Sequence, residues 1–230
     1  MLYLGCPQWS STAWKGNLLS SHCKSADMLS EYAQCFNSVE GNTSFYADPS
    51  HESLLRWHDA VPEDFKFTFK FHRRFSHELQ LTNITSELNA WLNLFEPIFA
   101  KTGQIMLQLP RAFGPDALPL LANFIAQLPK QLSYGVEVRH PGFFNKDDAE
   151  IRLNQLLIEN NIDRISMDTR ALFAVPADTD ALIDAQKKKP YLPVHAIATG
   201  NQPMLRFVIA SLEHEYKSYY QPWLKKVKQW

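Results

Sequence analysis

The chain has 230 residues, and its 23 Lys and Arg stand against 24 Asp and Glu for a formal net charge of -1. That balance supplies no field to gather nucleic acid or an anionic membrane surface, so any anion site must be local. Its three cysteines, Cys6, Cys23 and Cys35, lack CxxC spacing; they argue against a disulfide framework and a zinc cluster and fit a reducing cytoplasm. No apolar run has bilayer-spanning length. No linker-like stretch interrupts the chain, so a single domain over residues 1–230 is expected.

Strand-like and helix-like patterns alternate throughout, the sign of βα units around a parallel sheet. The first strand is expected at Leu2 to Gly5. Met1-Leu2-Tyr3-Leu4-Gly5-Cys6 looks superficially like a lipoprotein box, but no basic leader or signal-length apolar run precedes the cysteine. An aromatic loop with Trp9 and Trp14 leads to a helix whose Met28, Leu29, Tyr32, Ala33 and Phe36 share one stripe. A second strand ends at Glu40, and Ser50 marks the start of a helix carrying Leu54, Leu55, Trp57 and Val61. Phe65, Phe67, Phe69 and Phe71 then alternate with Lys66, Thr68, Lys70 and His72, giving an aromatic face for the helices and a polar face bearing Lys70.

A helix from about Ser86 and a strand over Ile105 to Leu109, stopped by Pro110, come next. Beyond a helix near Asp116 to Gln127, a fifth strand places Glu137 and Arg139 on one face. A helix near Lys146 to Asn160 precedes a strand over Arg164 to Asp168, and a short helix is expected near Asp180 to Lys188. Val194 to Ala198 reads as strand or extended loop, and Met204 to Ile209 as strand. Pro222, in a helix first turn, starts the last stripe of Trp223, Leu224, Val227 and Trp230. The expected architecture is α/β and TIM-barrel-like, with roughly seven clear strands.

In such a fold the C-terminal strand ends form one face, where the chemistry sits. Alternation collects Glu40, Asn42, Lys70, Gln108, Glu137, Arg139, Asp168 and Arg206 there, with His77 and His140 close in sequence. Buried unpaired charges cost several kcal/mol, roughly, so such a group must pair internally, meet a ligand or stay wet. One reading is a structural ion-pair network. A second is a divalent metal on Glu40, Glu137, Asp168 and a histidine, which Lys70, Arg139 and Arg206 would oppose; the leading reading needs no cofactor.

That leading reading is an enzyme for a small polar or anionic substrate. Glu40, Lys70, Glu137 and Asp168 are its catalytic candidates. Glu40 or Glu137 would act as general base, and Lys70 as proton donor, charge stabiliser or Schiff-base amine. Trp9, Asn42, Tyr46, His77, Gln108, Arg139, His140 and Arg206 are the substrate-binding candidates, the arginines as forks and the aromatics of the first loops as stacking faces. A non-catalytic binding protein and a metal-assisted phosphoester hydrolase on nucleic acid are the alternatives.

The stretches Gly5-Cys6-Pro7-Gln8-Trp9 with Trp14-Lys15-Gly16, and Leu29-Ser30-Glu31-Tyr32-Ala33 to Val39-Glu40-Gly41-Asn42-Thr43-Ser44-Phe45-Tyr46, resemble the YecE-like family, also called domain of unknown function 72. Further matches are Phe65-Lys66-Phe67 with Lys70 and His77, Gln108-Leu109-Pro110 before Phe113, Val136-Glu137-Val138-Arg139-His140 before Phe143, Asp168-Thr169-Arg170 and Met204-Leu205-Arg206-Phe207. The resemblance implies a TIM-barrel-like fold and no established reaction. Family members usually continue beyond the Pro222-Trp223 helix into a last strand and helix, and Gly41 stands where a bulkier residue is common. Because alternation puts each of them inward at the C-terminal end of a strand, Glu40, Lys70, Glu137, Arg139, Asp168 and Arg206 are expected in one pocket. The strand edge left open is expected to be filled by the Val194 region, the terminal helix or a second copy of the chain.

Overall fold

Parallel strands alternating with helices build this α/β chain, whose computed structural model describes residues 1–211 and 214–230. Two compact units emerge: residues 1–108 with 127–134, and residues 109–126 with 135–230.

In the first unit, α1 (Met28–Tyr32), β1 (Ser38–Gly41), α2 (His51–Asp59), β2 (Lys66–Lys70), α3 (Thr85–Phe95) and β3 (Thr102–Gln108) follow in turn. The strands are parallel in the order β1-β2-β3, with Val39 opposite Phe67 and Phe69 opposite Ile105. Ser50 caps α2 as expected, its hydroxyl accepting from the Ser53 N–H at 3.2 Å. The aromatic face of β2 packs on the helices: Phe69 lies 5.0 Å from Phe95 of α3 and 6.2 Å from Trp57 of α2, ring to ring. Gly41 makes this possible, because a Cβ there would stand 2.9 Å from the Phe69 ring.

The expected strand over Leu2 to Gly5 does not form. Side chains replace its ladder: Leu4 N–H donates to Asn37 Oδ1, the Asn37 amide returns a bond to Leu2 O, and Cys6 N–H donates to the Tyr32 hydroxyl. Glu40 N–H donates to Cys6 O, the point where β1 itself meets the segment. Gly5 is pressed so close that an added Cβ would fall 2.0 Å from Ser38 O. A backbone in that contact satisfies its groups through Asn37 and Tyr32 instead of a regular register.

The second unit holds α4 (Leu118–Ile125), β4 (Tyr134–Glu137, its first residue in the other unit), α5 (Asp148–Glu159), β5 (Asp163–Arg164), β6 (Ser166–Asp168), α6 (Arg170–Phe173), α7 (Asp180–Lys188), β7 (Leu205–Phe207) and α8 (Lys217–Val227). The single strand expected over Arg164 to Asp168 is divided at Ile165. β5 pairs with β4, whereas β6 pairs with β7 in a separate two-stranded ladder. β7 is shorter than expected, and Val194 to Ala198 forms no strand. Its tract is held by side chains: Ser166 Oγ donates to His195 O, and Thr199 Oγ1 bridges Ile162 O and the Arg164 N–H. Pro222 lies inside α8 instead of at its start, so the Ser218 carbonyl forgoes its in-helix donor. Burial of Tyr216 and Trp223 at either side of it favours the earlier start.

Candidate active site

Every strand that carries a candidate ends on it or one residue later. Glu40 precedes the last residue of β1 and Arg206 that of β7, while Lys70, Gln108, Glu137 and Asp168 close β2, β3, β4 and β6. All six are buried.

In the first unit, the Lys70 ammonium meets Glu40 Oε1 at 2.9 Å and stands 5.9 Å above the Phe45 ring. Ser44 fixes the end of β2 from both sides: its Oγ donates to Lys70 O at 2.8 Å and accepts from Lys70 N–H at 3.0 Å. The His77 ring meets Phe45 edge to face at 5.3 Å, and its Nδ1 bonds Ser76 Oγ at 2.8 Å. Phe45 therefore serves as a shared platform for Lys70 and His77, a role sequence pattern did not reveal. Asn42 turns its amide to Pro7 O at 2.7 Å, fixing the first loop. Trp9 packs on Trp57 and Phe67, and the ring of Tyr46, 71 % exposed, meets the Phe45 ring edge to face.

The second unit brings together Glu137, Arg139 and Arg206. Arg139 Nε donates to Glu137 Oε1 at 2.6 Å, and Arg206 Nη1 donates to Glu137 Oε2. A guanidinium carries five N–H donors. Arg139 spends only its Nε–H, its side chain is 15 % exposed, and its Nη groups meet no partner among the described residues. His140 begins a short turn, its Nδ1 accepting from Gly142 N–H at 3.0 Å, which leaves the ring proton on Nε2.

Asp168 is built differently. Oδ1 accepts from the Arg170 N–H and Nε, and Oδ2 from Arg170 Nη2 and the Trp223 indole at 2.7 Å. Burial pushes this carboxyl up, but the bonds from Arg170 and Trp223 outweigh it and hold it below the usual carboxylate range. With four donors in place, Asp168 anchors α8 to β6.

A further buried group escaped sequence reading. Glu150 Oε1 accepts from Arg164 Nη1 at 2.7 Å and His195 Nδ1 at 2.6 Å, and Oε2 accepts from Lys146 N–H at 2.8 Å. The local part was visible as a capping pattern: Asp147 accepts from Ala149 and Glu150 N–H, and Glu150 reaches back. The partners from β5 and the Pro-rich tract were not. Among the described residues no three His, Cys, Asp or Glu side chains gather as metal ligands, and no helix is long and apolar enough to cross a membrane.

The family profile described as "Protein of unknown function DUF72" matches residues 3–230. Two Escherichia coli proteins named UPF0759 protein YecE are each 40 % identical over 230 residues, covering 100 % of this chain and 82 % of theirs. Among solved structures, a DUF72 family protein of Enterococcus faecalis superposes with a TM-score of 0.72 at 21 % identity, covering 100 % of this chain and 85 % of its own. One from Thermotoga maritima gives 0.71 at 20 %, covering 100 % and 87 %. These two establish likeness of fold, and the whole-length identity to YecE establishes kinship: the chain belongs to the DUF72 family.

Proposed function

We propose that this protein is an enzyme acting on a small polar or anionic substrate by acid-base chemistry at the C-terminal ends of its strands. The carrying observation is Arg139, a mostly buried guanidinium positioned by Glu137 through Nε and with its terminal N–H groups unspent among the described residues. Planar paired donors of that kind fit the two oxygens of a carboxylate or phosphate. Glu40 and Lys70, 2.9 Å apart and shielded from water, form a proton-exchanging pair suited to general acid-base work. The ionisable residues at the ends of parallel strands also support a TIM-barrel-like fold, in which that end carries function.

Calorimetric titration with inorganic phosphate, acetate and succinate tests the anion site. The native protein is expected to bind at least one, and Arg139→Ala to lose that binding while keeping its thermal midpoint. Equal binding by the variant refutes the reading. Turnover of a metabolite pool that disappears in Glu40→Gln separates an enzyme from a binding protein.

A further inference from the structure

Outside the Arg139 site, and sharing no residue with it, α5, β5 and the tract before β7 bury a carboxylate, a guanidinium and an imidazole. Glu150 and Arg164 are both buried, and their ion pair is neutral by itself. Arg164 is fixed further by Asn154 Oδ1 at 2.8 Å and Phe143 O at 2.6 Å, and its guanidinium lies 5.0 Å from the Phe144 ring centre. His195 is thus not required to balance charge.

The neutral ring has one proton to place. Glu150 Oε1 is an acceptor 2.6 Å from Nδ1, so that proton sits on Nδ1 and the lone pair on Nε2. Burial raises the Glu150 carboxyl, but bonds from His195, the Lys146 N–H and Arg164 outweigh it and hold it below the usual carboxylate range, so it acts as acceptor. His195 Nε2 has no partner among the described residues, and the side chain is 11 % exposed. Phe144, 5.5 Å away ring to ring, steadies it.

From this geometry we infer that Glu150 and His195 form a second acid-base site, in which Nε2 of His195 accepts the proton of a small ligand bearing an acidic hydroxyl, leaving the ligand's oxyanion beside an imidazolium. The carboxylate fixes the tautomer and stabilises the imidazolium that develops; Arg164 keeps the carboxylate charged. Sequence separation hid the site, since His195 lies 45 residues from Glu150.

Diethyl pyrocarbonate is the probe, an electrophilic carbonyl that acylates a ring nitrogen with loss of ethyl carbonate. With the intact folded chain and peptide mass spectrometry, His195 is expected to react faster than the exposed His51, and Glu150→Gln to slow it by about tenfold. A His195 that is unlabelled, or labelled no faster than His51, or unaffected by Glu150→Gln in a folded variant, overturns the inference. Should that variant not fold, two-bond proton–nitrogen NMR of the native protein decides. An Nδ1–H tautomer whose Nε2 signal moves on acylation supports the site, and the reversed tautomer or an unmoved Nε2 signal overturns it.

Discussion

Glu137 and Asp168 each close a strand, are 1 % and 0 % exposed, and meet arginine two residues further along the chain. Their partners separate them. Arg170 gives Asp168 both Nε and Nη2, with Trp223 completing the set, so the carboxylate is the end point of the arrangement. Arg139 gives Glu137 only Nε, so there the carboxylate is a support and the guanidinium is what is presented. Burial and charge look alike in the two places; the number of donors spent on the carboxylate distinguishes the Asp168 anchor from the candidate site at Arg139.

The largest effect should come from the anchor. Asp168→Ala removes the acceptor of the buried Trp223 indole N–H and of the half-exposed Arg170 guanidinium, and is expected to cost about 2–3 kcal/mol in denaturant unfolding. A loss below about 1 kcal/mol would dissolve the contrast. Acidification probes the same group. Its folded pKa is depressed, so its contribution is full above the ordinary value of 3.8 and is lost as pH falls toward the lower folded value. Asp168→Asn should flatten the acid limb of the stability profile; an unchanged limb would assign acid sensitivity elsewhere.

Trp223→Phe removes one donor and keeps most of the ring packing. A loss of about 1–2 kcal/mol is expected, again by denaturant unfolding. Smallest in stability is Arg139→Lys, expected to shift unfolding by less than about 1 kcal/mol because Arg206 still holds Glu137. The same variant should bind phosphate or carboxylate more weakly in calorimetry, since a point charge replaces a fork. A large stability loss with undiminished anion binding would make Glu137 an anchor like Asp168.

The chain's periodicities disclosed most of the scaffold. The phenylalanines of β2, the stripe of α3 and the cap at Ser50 are local patterns, and local physics sufficed for them. The charged strand ends were legible for the same reason, as alternation places a side chain without knowledge of its partner. What failed depended on long-range contacts. Leu2 to Gly5 has a strand's composition, but Asn37 intercepts its backbone groups and Tyr32 that of Cys6 next to it. The break at Ile165 divides one expected strand between two ladders. Trp223 lies 55 residues from the carboxylate it serves, and an amphipathic stripe cannot reveal that its indole N–H has a destination.

Asn37 carries one last consequence, for the protein's ageing. Its amide both accepts from Leu4 N–H and donates to Leu2 O, so a single planar group holds the two ends of that tripeptide. Hydrolysis of the amide to a carboxylic acid, a spontaneous reaction of asparagine followed by a small residue such as Ser38, would turn its donor into a second acceptor facing the Leu2 carbonyl. Two oxygens would then repel where one hydrogen had joined them. The start of the chain is thus fastened by one amide, and loss of that amide would loosen it without any change in the encoded sequence.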